Sequence, residues 1–332
     1  MKKQLLVYLI FLSAGYLICD ENHRTEYGSH DNHLMEYQQG VIVHSITGPL
    51  AYRILIPYTL QALSKFSPGQ PLIEIVFYLN VLLMLLVQIS FYKYLNNFVS
   101  ISASFAGTMW LALIAMMGLG SFMGVHVYET TDLCNLLVMC LALQFLYKRK
   151  WNRLALLLVI GMINRETPAF LLIPAFLLWR KEKFQMGYLL LLLGSVVIPY
   201  LSLRLLIHPP HPAWFLTVFL GENIPFYQPG KLPVVFSAYL KFILFVGPAA
   251  CIAMTDLENK NHFLKIIVWM VPAFFLVHIV VGHVEEFRMW MPLFLVLIPL
   301  CMETIDQNII NSSNGDTKII HDKLLKQQSV RF

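Results

Sequence analysis

The chain has 332 residues, 58% of them hydrophobic and only 13% charged, with a formal net charge of +5. Soluble domains carry about 25% charged residues, so the composition excludes an ordinary water-soluble fold and indicates a polytopic membrane protein. The cationic excess stands in blocks beside apolar stretches, which reads as membrane topology and not as nucleic-acid binding.

In chain order, Lys2-Lys3 precede an apolar stretch, residues 5–19, predicted as an uncleaved first helix that leaves the cytoplasm. Bulky Ile18 stands before Cys19 and no A-x-A precedes Asp20, which argues against processing there. A long outer loop, residues 20–71, follows. Its end, from Tyr52-Arg53-Ile54-Leu55-Ile56-Pro57 onward, has the amphipathic pattern of an interfacial helix. Residues 72–92 are expected to return inside, 101–123 to cross outward, and 132–147 to come back to Lys148-Arg149-Lys150.

Residues 154–179 have basic residues at both ends, and positive flanks should share a side. The expectation is a hairpin of two short helices, 154–163 and 169–179, whose tip is Asn164-Arg165-Glu166-Thr167-Pro168. Each half is short for a crossing, which puts the tip below the outer surface in a protein-lined cavity. Three more pairs of boundaries follow, with crossings at 184–206, 232–254 and 266–282, and a last one at 289–302. The expected architecture is thus an all-α transmembrane bundle of eight spans plus the hairpin. It forms one domain, 1–302, with a polar cytoplasmic tail, 303–332, and both termini cytoplasmic. Within the tail only residues 318–325 read as weakly helical, after a linker-like Asn-Ser-Ser-Asn-Gly stretch.

This threading puts the lysine and arginine blocks on one side and the acidic clusters on the other. Several helix ends that bring acid and arginine to one face suggest a shared polar site. Three constellations are candidates. The outer loop carries Asp20-Glu21 and then Asp31 with Glu36, carboxylates suited to general-base work or, with histidine, to a cation; on composition alone a solvated loop is the better explanation of them. At the hairpin tip, adjacent Arg165 and Glu166 point in different directions, so each requires its own partner. Arginine there suits a phosphate or a structural ion-pair network. The mouth of the last span reads His283-Val284-Glu285-Glu286-Phe287-Arg288, where the guanidinium can reach a lipid-linked phosphate or snorkel to the interface. Arg53, Glu74, Tyr128, Glu129, Asp132, Arg204 and Lys241 are lesser candidates, and His278 reads as a satisfied core histidine. The five cysteines lack CxxC spacing, and there is no Gly-rich phosphate loop, GxSxG or HExxH. No metal site and no resident cofactor are expected, although the acidic loop is compatible with a divalent cation.

The layout resembles the GT-C superfamily of integral-membrane glycosyltransferases. The segment from His283 to Pro292 is similar to the His-Lys-Glu-x-Arg-Phe…Pro motif of its mannosyltransferase branch, with Val284 in place of lysine and Met289 in place of phenylalanine. The segments Tyr52–Pro57 and Asn164–Pro168 are similar to stretches of bacterial membrane proteins grouped there. The resemblance implies transfer of a sugar from a polyprenyl-phosphate carrier to a glycan or lipid-linked acceptor at the non-cytoplasmic face of a bacterial inner membrane. It implies an acid of the outer loop as base (Asp31 or Glu36, then Asp20 and Glu21). Arg165 and Arg288 would hold the carrier phosphate, with Glu166, Glu286, His283, Arg53 and Glu129 around the substrate. Membrane lipids and the donor are the expected partners, with no nucleic acid. A transporter or flippase for a lipid-linked or anionic substrate is the alternative, and it would need polar residues in both halves of the bilayer.

Overall fold

The computed structural model describes residues 2–26, 31–46, 48–119, 129–208, 232–281 and 287–329. It is all-helical, with no strand among the described residues. The helices are α1 (Lys2–Glu26), α2 (Asp31–Ile42), α3 (Leu55–Phe66), α4 (Leu72–Leu95), α5 (Ile101–Leu119), α6 (Glu129–Tyr147) and α7 (Trp151–Asn164). They continue with α8 (Leu172–Glu182), α9 (Met186–Leu206), α10 (Leu232–Met254), α11 (His262–Ile267), α12 (Met270–Val281) and α13 (Phe287–Ser329).

Among the described residues five stretches are long and apolar enough to cross a bilayer: Gln4–Glu21, Leu72–Leu95, Thr130–Tyr147, Met186–Leu206 and Arg288–Ile309. The protein is therefore an integral membrane protein. Three further apolar helices, Ile101–Met117, Tyr239–Met254 and His262–His278, match the remaining expected crossings in position but are shorter. The windows in α6 and α13 are 78% and 83% buried, against 22% in α1 and α9, so α6 and α13 form the centre of the bundle. An apolar sequence does not distinguish these two roles, because lipid and protein interior are equally dry.

Side-chain contacts gather the helix ends at two poles. At the first, Phe98 lies against Tyr147 and Phe263, and Ser100 donates to Asp306 through both its N–H (2.8 Å) and its hydroxyl (2.7 Å). Lys260 is buried there and donates to the Leu300 carbonyl (2.8 Å) and to Thr304, while the Asn261 N–H donates to Glu303. Burial pulls the Lys260 ammonium down from its ordinary pKa, and nearby Glu303 opposes the shift. The α6–α7 and α8–α9 turns join the same pole, because Arg149 pairs with Glu182 and Trp151 stacks on Phe184 at 4.2 Å.

Helices α4 and α6 run parallel away from the opposite pole, linked near their ends by Gln144, which donates to the Ser90 carbonyl. Helix α1 runs against α4: Phe11 meets Tyr92, and Tyr16 meets Phe77. Asp20 therefore lies toward the pole at which α4 and α6 begin, as the charge pattern predicts.

The hairpin is present, with its two basic ends brought together by the Arg149–Glu182 pair. Helix α7 stops at Arg165, whose backbone is extended (φ −165°, ψ 153°), and a 3-10 turn, Thr167–Leu171, leads into α8. With 14 residues, α7 is roughly 21 Å long, short of the ~30 Å hydrocarbon core. Gly161 makes the bend close, because a Cβ there would lie 2.6 Å from Pro168 Cγ and 2.8 Å from Val138 Cγ1.

The tail departs from expectation. Helix α13 continues through the Asn-Ser-Ser-Asn-Gly stretch to Ser329, with no linker before residue 318. Extending an existing helix adds one hydrogen bond per residue fixed, so a polar stretch without proline follows the span that nucleates it.

Candidate functional site

The site lies at the pole where α6 begins, α7 ends and α13 begins. Thr131 and Asp132, in the first turn of α6, are buried. The Asn164 side chain donates to the Thr131 carbonyl at 2.9 Å, which fixes the end of α7 against the start of α6. The extended Arg165 then directs its guanidinium to Asp132 Oδ1, and a second N–H of the same group reaches Met289 Sδ. Arg288, from the first turn of α13, brings a guanidinium nitrogen 3.6 Å from Asp132 Oδ2. Pro292, one turn further along α13, lacks the N–H that would bond to the Arg288 carbonyl within the helix.

One buried carboxylate thus orients two arginines from separate helices. Burying such charges is favourable only when they are mutually satisfied, so loss of any one member weakens the balance of the other two. Asn135, one turn beyond Asp132 on α6, and Asn164, beside Arg165, each have a buried Oδ1 with no donor among the described residues, as does Asn80 on α4. Carbonyl oxygens of this kind suit hydroxyl groups, of water or of a ligand.

Glu166, the next residue, faces the other way and pairs with Arg204 at 3.3 Å. The Arg204 guanidinium lies 3.5 Å from the ring centroid of Tyr200 and 4.6 Å from that of Tyr52. Ala51 packs with Leu203 and Ile207 beneath it, so the segment before α3 is tied to the end of α9. We expect Arg204→Ala to cost about 1–2 kcal/mol, the loss of a partly exposed cation–π contact and a weak ion pair. It should also raise protease cleavage within residues 44–54. Arg204→Lys should restore less than half of the loss, because lysine keeps the charge but not the planar stack.

Beside this cluster, α3 and the end of α7 enclose an apolar groove of about 420 Å³, lined by Ile54, Leu55, Tyr58, Thr59, Ala62, Leu63 and Ile163. Of its lining residues Ile163 stands two positions before Arg165, at the end of α7.

Of the residues expected at the site, Arg165 and Arg288 meet at Asp132, whereas Glu166 faces away from them and pairs with Arg204. Arg53 is half-buried in the segment that Arg204 holds. Asp20 is half-buried, Glu21 and Glu36 are exposed. Asp31 and Glu129 open α2 and α6, and their side chains lie outside the described set; His283 and Glu286 lie outside the described residues. Asp132, Arg204 and the three asparagines carry more of the geometry than sequence reading assigns them. The available signal for Asp132 is an acid within the first turn of an apolar helix, which a lone residue gives weakly.

His278 is buried, stacked on Phe274 with its Nδ1 2.8 Å from the Phe274 carbonyl, and serves packing. Lys241 is exposed on α10. Among the described residues no group of three or more His, Cys, Asp or Glu is arranged to hold a metal ion. No family model, curated protein or solved structure matches the chain.

Proposed function

We propose that this protein is a membrane glycosyltransferase of the GT-C type, transferring a sugar from a polyprenyl-phosphate donor to a glycan or lipid-linked acceptor. In this reading the bundle has eight crossings plus the hairpin, lies in a bacterial inner membrane with both termini cytoplasmic, and has its site on the far face. The observation that carries the reading is the meeting of Arg165 and Arg288 around buried Asp132, beside an apolar groove. A lipid-linked phosphate needs both features, an oily channel for its chain and fixed positive charge for its head.

The chemistry follows from that division. A carboxylate of the outer segment, Asp31 or Glu36, with Asp20 and Glu21 as further candidates, takes the proton of the acceptor hydroxyl. The hydroxyl oxygen attacks the anomeric carbon, and the bond from that carbon to the carrier phosphate breaks. The phosphate leaves with the electron pair, and guanidinium groups already in place stabilise its charge. The buried asparagine oxygens are suited to the hydroxyls of the sugar.

Asp31→Asn and Glu36→Gln are expected to abolish sugar transfer from polyprenyl-phosphate donors in reconstituted membranes, at normal expression. If both variants transfer at the wild-type rate, the base lies elsewhere.

A second reading, a transporter or flippase, has one observation in its favour. Gln88 is fully buried deep in α4, and both polar atoms of its side chain lack partners among the described residues; Gln144 and Ser90 lie further along. This line of amides extends polarity toward the basic pole, although the most buried of the described ion pairs are those of Asp132. Radiolabelled sugar incorporation and substrate counterflow, measured in the same vesicles, separate the two readings. Counterflow without incorporation would replace the enzyme by the transporter.

A further inference from the structure

The opposite pole holds a second cavity that the proposed chemistry does not use. It measures about 330 Å³ and is lined by Arg149, Lys150, Trp151, Asn152, Arg153 and Tyr188. Three of its six lining residues are cations and none is an acid. Arg149 holds the turn: it adopts a left-handed backbone (φ 56°), unusual outside glycine, and spends its guanidinium on Glu182 and on the Leu146 and Tyr147 carbonyls. That pairing neutralises Glu182 and leaves Lys150 and Arg153, both exposed and without a partner among the described residues, to set the charge of the cavity. The floor is aromatic. Trp151 is buried and stacked on Phe184, and its ring centroid lies 6.2 Å from that of Tyr188.

Cations over a Trp/Tyr floor, at the end of a hairpin, fit the boundary between hydrocarbon and headgroups. A cavity of this size accommodates a headgroup and no more of a lipid than that. Basic pockets between membrane helices are suited to acidic phospholipid headgroups, through point charge from lysine and forked hydrogen bonds from arginine. We propose that this cavity binds the phosphate of an anionic phospholipid, so that the α6–α7 turn is a lipid-binding site separate from the arginine–aspartate cluster. The site does not depend on the glycosyltransferase reading. A soluble glycerol phosphate offers the same chemistry without the chains.

The test is native mass spectrometry of the full-length protein in detergent, titrated separately with phosphatidylglycerol, phosphatidylcholine and soluble glycerol phosphate. The expected result is a preference of at least tenfold for phosphatidylglycerol over phosphatidylcholine, lost in the double variant Lys150→Gln/Arg153→Gln. A second double variant, Lys93→Gln/Lys181→Gln, removes equal charge from exposed residues that do not line the cavity, and should keep the preference. All four positions are exposed, and equal thermal stability of the two variants confirms that both fold. Glycerol phosphate bound as tightly as the lipid, and lost in the same variant, would overturn the lipid assignment in favour of a soluble phosphate. An equal loss in both double variants, or no preference in the wild type, would overturn the site itself.

Discussion

Asp132→Ala is expected to be the most damaging single substitution in the protein. It leaves Arg165, 6% exposed at its side chain, and the half-buried Arg288 facing each other without the carboxylate that orients both. Removing one partner of a buried ion pair costs about 3–5 kcal/mol, because a charge is stranded where water cannot reach it. Thermal unfolding in detergent should show that loss, and sugar transfer should fall below a hundredth of wild type. Asp132→Asn keeps the shape without the charge and should lie between. The double variant Asp132→Ala/Arg165→Leu should recover part of the stability of Asp132→Ala but none of its transfer. Recovery of both would mean that the arginine has no role beyond packing.

The second large effect is expected from a single methyl group. Gly161 sits where α7 touches both α6 and its own hairpin tip, and an added Cβ would come within 2.8 Å of Val138 and closer still to Pro168. The proline ring cannot rotate away, so Gly161→Ala must push the tip off α6. Overpacking of this kind costs about 1–3 kcal/mol. The effect on transfer should exceed the effect on stability, because the tip carries Arg165 and a small displacement of a positioned group is expensive in rate. Val138→Ala opens space on the α6 side, and combining it with Gly161→Ala should restore at least part of the lost transfer. An unchanged Tm and rate in Gly161→Ala would show that the tip is not held tightly.

How much of this was legible from the chain alone differs by level. Apolar runs ending in charge marked helices, and two basic blocks flanking one run implied the hairpin that Arg149 and Glu182 now close. Adjacent Arg165 and Glu166 implied two separate partners, and they have them in Asp132 and Arg204. The identity of those partners was not legible. It depends on how α6, α9 and α13 pack against the tip, and helices apolar all round carry no periodic stripe that says which face meets which neighbour. Tyr52 and Tyr200 were hidden for the same reason: a cation–π stack joins residues from distant parts of the chain. The continued helix beyond residue 303 was missed because local propensity was read without the span that extends into it.

Sugar transfer at the far face requires the two poles to face opposite sides of the membrane, with the arginine–aspartate group on the non-cytoplasmic one. Labelling with a membrane-impermeant maleimide in intact cells tests this directly, in a background where the five native cysteines are replaced. Ser67→Cys, exposed in the turn before α4, reports the Asp132 pole; Asn152→Cys, exposed at the start of α7, reports the basic one. The account predicts that Ser67→Cys labels in intact cells and Asn152→Cys only after permeabilisation. Labelling of Asn152→Cys in intact cells, with Ser67→Cys protected, would turn the site toward the cytoplasm and contradict it.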